Sequence, residues 1–389
     1  MTIDEASHEA AAEAVQDVAA LARTLLDDAR AGIAGSADVG LHLDLATAEL
    51  AFDEPERARA ELRRAIGLLG DRRPPPWLYR GGAAHLGWVS AQVAARLGDP
   101  GPDPRWAAVV GETVAAFPAD RDVDLPLGLL GLGVYALAHP DPTVRAPLVE
   151  RVLDVVADRA EHDVDGMFVR LVDAPHRRRD GSAGLVLLGV AHGMAGLVSL
   201  LASVADADLP GRGRAHRLLA GAVRWLLRQR VPDEARWVRT GHQPHRLTWC
   251  YGDPGIALAL SVVATATRSA AVEAAAAAIT ADALARPPTE AGVLDATICH
   301  GAAGLIWFGH RVATGAGDPA AARFTRTWVS HVVQQRSAGP LVYVRPDGPG
   351  RDHSFLEGDI GVALALQYVA TGTRQPWEQL LLGCRITPH

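Results

Sequence analysis

Gly252-Asp253-Pro254-Gly255 runs directly into an apolar stretch, IALALSVVA (256–264), and the same device recurs along the chain. Gly358-Asp359-Ile360-Gly361 leads into VALALQYVA, and Gly301-Ala302-Ala303-Gly304 into LIWFGHRVA. Gly193-Met194-Ala195-Gly196 leads into LVSLLASVA, and Gly128-Leu129-Leu130-Gly131 into LGVYALA. Two weaker copies, with alanine at the first position, run from Ala84 to Gly87 and from Ala37 to Gly40. Self-similarity at intervals of 44 to 65 residues is the mark of a repeat architecture, each interval long enough for two helices and their loops.

Between the apolar runs lie amphipathic segments. In EPERARAELRRAIGLLG (54–70), Ala58, Leu62, Ala65, Ile66 and Leu69 share one face and charges cover the other, the pattern of a surface helix with one buried stripe. Similar segments begin near 7, 103, 141, 209, 268 and 318. Asp103-Pro104, Asp141-Pro142 and Asp318-Pro319 supply an N-cap followed by proline at the first helical position. A helix that is apolar all round has to be covered on most sides. Seven apolar and seven amphipathic helices therefore predict an all-α fold, an α/α toroid of seven inner and seven outer helices formed by residues 1–389 as one domain. Within it, 163–184 reads as loop with a short strand pair, either a surface excursion or a peptide-contacting insertion.

Composition narrows the function. The 389 residues are 49% hydrophobic but only 5% aromatic, which suits helix packing more than sheet. The formal charge is -7, all 38 basic residues other than histidine are arginine, and no basic block stands out, so nucleic acid and anionic membranes are not expected partners. No apolar run predicts a transmembrane segment, the acidic N-terminus does not read as a secretory signal, and three cysteines make no disulfide framework. These features lead us to expect a cytoplasmic protein whose thiols serve metal or sulfur chemistry.

Two repeats carry chemistry at one relative place. Cys250 lies five residues before Gly255; Cys299 lies five before Gly304, with His300 next to it. Equivalent positions of adjacent repeats are neighbours in a closed toroid, so two thiols and an imidazole are expected to meet at one mouth. A lone buried cysteine is ordinarily an apolar filler, but this donor set in register suits Zn2+, and three protein ligands leave the fourth coordination position for water or substrate. Cys384 lacks that context and reads as structural.

At these residues the sequence resembles the lanthionine synthetase C (LanC-like) family. The matching motifs are His192-Gly193-Met194-Ala195-Gly196, Trp249-Cys250-Tyr251-Gly252-Asp253-Pro254-Gly255, Cys299-His300-Gly301-Ala302-Ala303-Gly304 and the closing Ser354-Phe355-Leu356-Glu357-Gly358. The resemblance implies the toroid, a zinc on Cys250, Cys299 and His300, and addition of peptide cysteines to dehydroalanine or dehydrobutyrine to give thioether rings. It also implies His192 as the active-site histidine, with Asp124, Arg246 and Tyr251 beside it. His192 would act as acid or base, or cap a helix; Asp124 would orient it, or serve as an N-cap. Arg246 would hold an enolate or the substrate backbone, or form a surface ion pair; Tyr251 would donate a hydrogen bond, or pack. His242, His245 and His353 read as ordinary loop histidines. The expected partner is a dehydrated precursor peptide with its leader, made by a separate dehydratase, since 389 residues leave room only for the cyclase.

The residues also admit rival functions. A zinc prenyltransferase would use similar thiol chemistry, whereas terpene-type cyclases and glycosidases require carboxylate clusters that the repeats do not supply. Glutathione-type thiol addition to modified proteins would use the same metal centre, and a zinc-stabilised scaffold would bind peptide without catalysis.

Overall fold

The computed structural model describes residues 3–172, 186–230 and 246–388, and among these it holds fourteen α-helices in two rings. The outer ring comprises α1 (Ile3–Ile33), α3 (Pro55–Leu69), α5 (Pro104–Ala115), α7 (Pro142–Arg159), α9 (Arg212–Arg228), α11 (Ala270–Ala285) and α13 (Pro319–Ser337). The inner ring comprises α2 (Val39–Ala51), α4 (Ala83–Leu97), α6 (Leu129–Ala138), α8 (Met194–Asp206), α10 (Asp253–Thr267), α12 (Ala302–Ala316) and α14 (Asp359–Thr371). Each inner helix packs on its two inner neighbours, α14 packs on α2, and α1 lies along α14, so the ring closes. The predicted toroid of seven inner and seven outer helices is therefore the observed fold.

Burial follows the sequence pattern. All ten residues of α6 are buried, whereas α3 buries only Ala58, Leu62, Ala65 and Leu69. Asp103, Asp141 and Asp318 cap α5, α7 and α13 by accepting the backbone N–H of Arg105, Thr143 and Ala320. Each such cap contributes about 1 kcal/mol.

The paired glycines have a more specific cause than general helix packing. The loop before each inner helix folds back across its first turn. A Cβ on the capping glycine would meet the backbone of that loop: Asp122 O at 2.2 Å from Gly128, Leu187 O at 2.3 Å from Gly193, Arg246 O at 2.4 Å from Gly252. The second glycine is pressed by the carbonyl six residues before it, at 2.2 Å for Gly196, 2.0 Å for Gly255, 2.4 Å for Gly304 and 2.1 Å for Gly361. None of these glycines has a positive φ; the requirement is close approach, not backbone conformation.

This geometry corrects the frame of the first two repeats. Gly82, not Ala84, caps α4, and its Cβ would lie 2.2 Å from Trp77 O. The N–H of Ala83 donates to Pro75 O, just as Met194 donates to Leu187 O. Gly87 is instead an in-helix contact, pressed by the Tyr135 ring. In the first repeat the cap is Asp38, which accepts from the N–H of Gly40.

The centre of the ring is filled. After α14 the chain turns back as a short 3-10 helix (Pro376–Leu381) and runs between the inner helices. Tyr79 Oη donates to Leu380 O, Trp249 Nε1 to Leu381 O and Ser199 Oγ to Leu382 O, while Trp307 Nε1 and Arg311 both reach Glu378 Oε2. Leu381 and Leu382 are fully buried. Cys384 lies in this segment, where burial pushes its thiol up to about 12.

A short antiparallel pair, β1 (Glu161–His162) and β2 (Met167–Phe168), begins two residues before the segment expected at 163–184, with only β2 inside it. Asp163 ties its turn to α9 by accepting from Trp225 Nε1, and the Phe168 ring packs 5.1 Å from that of Trp225. Residues 173–184 lie outside the described residues. Among the described residues no helix is long and apolar enough to cross a membrane.

The close approach makes a prediction. Gly255→Ala should destabilise the fold by about 3 kcal/mol or more, because the opposing atom is backbone and cannot move aside. Gly67→Ala, on α3 with nothing within 4 Å, should stabilise it by about 0.5–1 kcal/mol. Thermal or urea unfolding of the two variants reads both.

Candidate metal centre

The loops that fold over the inner helices are stitched to one another. Ala191 N donates to Cys250 O at 3.2 Å, Cys250 N to Cys299 O at 3.2 Å, and Cys299 N to Leu356 O at 3.0 Å. All four residues stand two before a capping glycine (Gly193, Gly252, Gly301, Gly358). Equivalent positions of neighbouring repeats are thus in direct backbone contact. The next position in each loop is likewise carried round the mouth in order: His192, Tyr251, His300, Glu357.

This register brings Cys250, Cys299 and His300 together. One ligand atom from each lies within 4.8 Å of the others, and no fourth His, Cys, Asp or Glu among the described residues joins the cluster. Cys250 is buried, and Cys299 and His300 are half-buried. The two sulfurs interact: the hydrogen bond with Cys299 draws the Cys250 thiol down against its burial, with His300, Thr248 and His192 assisting, while the same bond and burial push Cys299 well up. One sulfur is therefore prepared to ionise before the other. Two adjacent thiols, one of them easily ionised, and an imidazole fit a zinc ion by donor type and by spacing.

His300 is held by a residue that no sequence motif singles out. Asp295 Oδ2 lies 3.5 Å from His300 Nε2, and this contact raises the imidazole pKa against the effect of burial. Burial pushes the Asp295 carboxyl up, but hydrogen bonds from His300, Thr297 and Val344 outweigh it and hold it below the usual carboxylate range. A carboxylate behind a ligating histidine fixes its tautomer and strengthens it as a donor. The repeats do carry a signal for Asp295: Asp122, Asp295 and Asp352 each stand six residues before a capping glycine.

The remaining candidates lie around the same mouth. His192 Nδ1 is 3.0 Å from Asp124 Oδ2, while Asp124 Oδ1 accepts the N–H of Leu127, so one carboxylate fixes both its own loop and the imidazole. The His192 ring stacks on Tyr251 at 5.2 Å with 16° between planes. Burial, then the neighbouring Cys250 and Cys299, raise the Tyr251 phenol, so it keeps its proton. Arg246 is half-buried at the start of the Cys250 loop, its stem against Gly292, and its guanidinium makes no hydrogen bond or ion pair with a described residue. The surface ion pair considered for it is therefore not formed among the described residues. His353 is engaged elsewhere, with Asp359 at 2.7 Å. His242 and His245 lie outside the described residues.

An α/α toroid with two thiols and an imidazole converging at the helix N-terminal mouth defines the class. The chain belongs to the lanthionine synthetase C-like family: the model described as "Lanthionine synthetase C-like protein" matches residues 80–382. Among solved structures, "Nisin cyclase" superposes with a TM-score of 0.69 at 18% identity, covering 89% of this chain and 90% of that one, a likeness of fold. No curated protein matches the sequence.

Metal analysis of purified protein should find about one zinc per chain in the wild type and none in Cys250→Ala or Cys299→Ala. Asp295→Asn should keep the site but weaken its affinity about 10- to 100-fold in a chelator competition.

Proposed function

We propose that this protein is a zinc-dependent cyclase that adds cysteine thiols of a dehydrated peptide to its dehydroalanine or dehydrobutyrine residues, forming thioether rings. The observation that supports this most is the meeting, at one mouth, of the Cys250–Cys299–His300 cluster with an Asp124-held His192 stacked on Tyr251. Family membership points the same way.

Zinc held by Cys250, Cys299 and His300 would favour ionisation of a substrate thiol and fix its sulfur in place. The chain's own residues have three further tasks. As sulfur adds to the β-carbon, the π-electron pair moves towards the neighbouring amide and negative charge gathers on its oxygen. Arg246, whose guanidinium makes no hydrogen bond or ion pair with a described residue, would receive that charge. His192 then delivers a proton to the α-carbon. Its Nδ1 is committed to Asp124, which orients the ring for proton exchange with substrate. Tyr251 keeps its O–H and stays a hydrogen-bond donor while stacking fixes the plane of His192. In this scheme a separate dehydratase supplies the dehydrated peptide.

The test is incubation with a dehydrated, cysteine-containing precursor followed by thiol alkylation. Ring formation leaves the mass unchanged and removes alkylatable thiols. His192→Ala should retain zinc yet lose about 100-fold or more in rate, and Asp124→Asn should fall between it and wild type. Full ring formation by a verified zinc-free Cys299→Ala protein would contradict the proposal.

A further inference from the structure

The thiol addition proposed above, on which this inference rests, contains two proton transfers. The substrate S–H must lose a proton, and the α-carbon must gain one. His192 has been given the second of these, and no group has yet been named for the first. The repeat register shows a second group.

The position just before the capping glycine carries His192, Tyr251, His300 and Glu357 in four successive repeats. The backbone bonds Ala191→Cys250, Cys250→Cys299 and Cys299→Leu356 show that these loops lie side by side in that order. Glu357 directly follows Leu356, whose carbonyl accepts the N–H of Cys299. The metal ligands therefore have His192 and Tyr251 on the Cys250 flank and Glu357 on the Cys299–His300 flank.

Glu357 is also chemically uncommitted. It is exposed, its backbone N–H is satisfied by Ser354 Oγ, and its carboxylate makes no hydrogen bond or ion pair with a described residue. This contrasts with the nearby acids: Asp295 serves His300 and Thr297, Asp352 holds Ser354 and Arg345, and Asp359 holds Tyr343, Arg351 and His353. Its charge nevertheless reaches both Cys299 and His300. It does not belong to the ligand cluster itself.

We propose that Glu357 is a catalytic residue that accepts the proton of the incoming substrate thiol, so that His192 serves only as the acid for the α-carbon. In the first step the S–H bond breaks, its electron pair stays on sulfur and the proton passes to the Glu357 carboxylate. In the second, that pair forms the C–S bond to the β-carbon, the C=C π pair moves towards the amide, and His192 gives its proton to the α-carbon. Glu357 then returns a proton to solvent and His192 takes one up, so the peptide is isomerised without net gain or loss of atoms. Two groups on opposite flanks remove the need for one imidazole to change roles within a turnover.

The test reads thiol capture without turnover. The protein is loaded with Co2+ in place of zinc and mixed in a stopped-flow instrument at neutral pH with one of two simple thiols. One is 2-mercaptoethanol, which is largely protonated; the other is thiophenol, which is largely ionised. The signal is the growth of the thiolate-to-cobalt absorption. Glu357→Gln should slow capture of 2-mercaptoethanol by about 100-fold and leave capture of thiophenol unchanged. A variant that captures both thiols at the wild-type rate overturns the proposal. A variant slowed equally for both also overturns it, since that reports a disturbed site and not a missing base. If the wild-type protein binds no cobalt, the metal reading itself fails and this inference falls with it. If cobalt binds and the variant shows no selectivity, only the Glu357 assignment fails.

Discussion

Everything at the functional mouth depends on how closely each loop crosses the helix that follows it. Carbonyls lie 2.0–2.4 Å from where the second glycine's Cβ would be in five inner helices, α6, α8, α10, α12 and α14. Only a hydrogen at that position lets the loop lie flat across the helix end. Flat loops from neighbouring repeats can then exchange backbone hydrogen bonds, and that exchange aligns Ala191, Cys250, Cys299 and Leu356. The meeting of Cys250, Cys299 and His300 is thus a consequence of backbone geometry that recurs in every one of these repeats. Two of them place thiols in it.

The surrounding contacts hold that alignment fixed. Trp249, immediately before Cys250, is tethered through its indole N–H to Leu381 in the segment that fills the ring. Asp253, at the start of α10, forms a buried ion pair with Arg286, and Asp359, at the start of α14, accepts from Tyr343 Oη at 2.6 Å. Asp44 of α2 accepts the N–H of Phe355, joining the first repeat to the last. Such contacts hold the loops that carry Cys250, Cys299, His300 and His192 in fixed relative positions, the kind of positioning that the proposed chemistry would need.

Much of this is legible in the sequence because the period of the repeat is the structure. Equal offsets from a glycine predict that Cys250, Cys299 and His300 meet, and they do. Aligning the second repeat on alanine fails for a physical reason: the bond from Ala83 N to Pro75 O spans one residue more than its counterparts, so the loop that ends at Gly82 is longer and the motif loses its spacing, while in the first repeat the Asp38 side chain caps α2 in place of a glycine. Asp295 escapes a reading by motif because, taken alone, it is an ordinary acid; only its contact with His300 distinguishes it, and Glu357, though inside the closing motif, stands out only by the residues that the same offset places in adjacent repeats. The path of the C-terminal segment through the ring carries no periodic signal at all. Its apolar residues, Trp377 and Leu380 to Leu382, resemble a helix end until the structure shows them buried at the centre.

The central claim is a metal held by two sulfurs and one imidazole nitrogen, with one position left to substrate. X-ray absorption at the zinc edge of the purified protein measures this directly. The account predicts two sulfur scatterers at about 2.3 Å, one imidazole nitrogen near 2.0–2.1 Å, and one oxygen that a simple thiol replaces to give three sulfurs. A zinc with four protein ligands, unchanged when thiol is added, would contradict it.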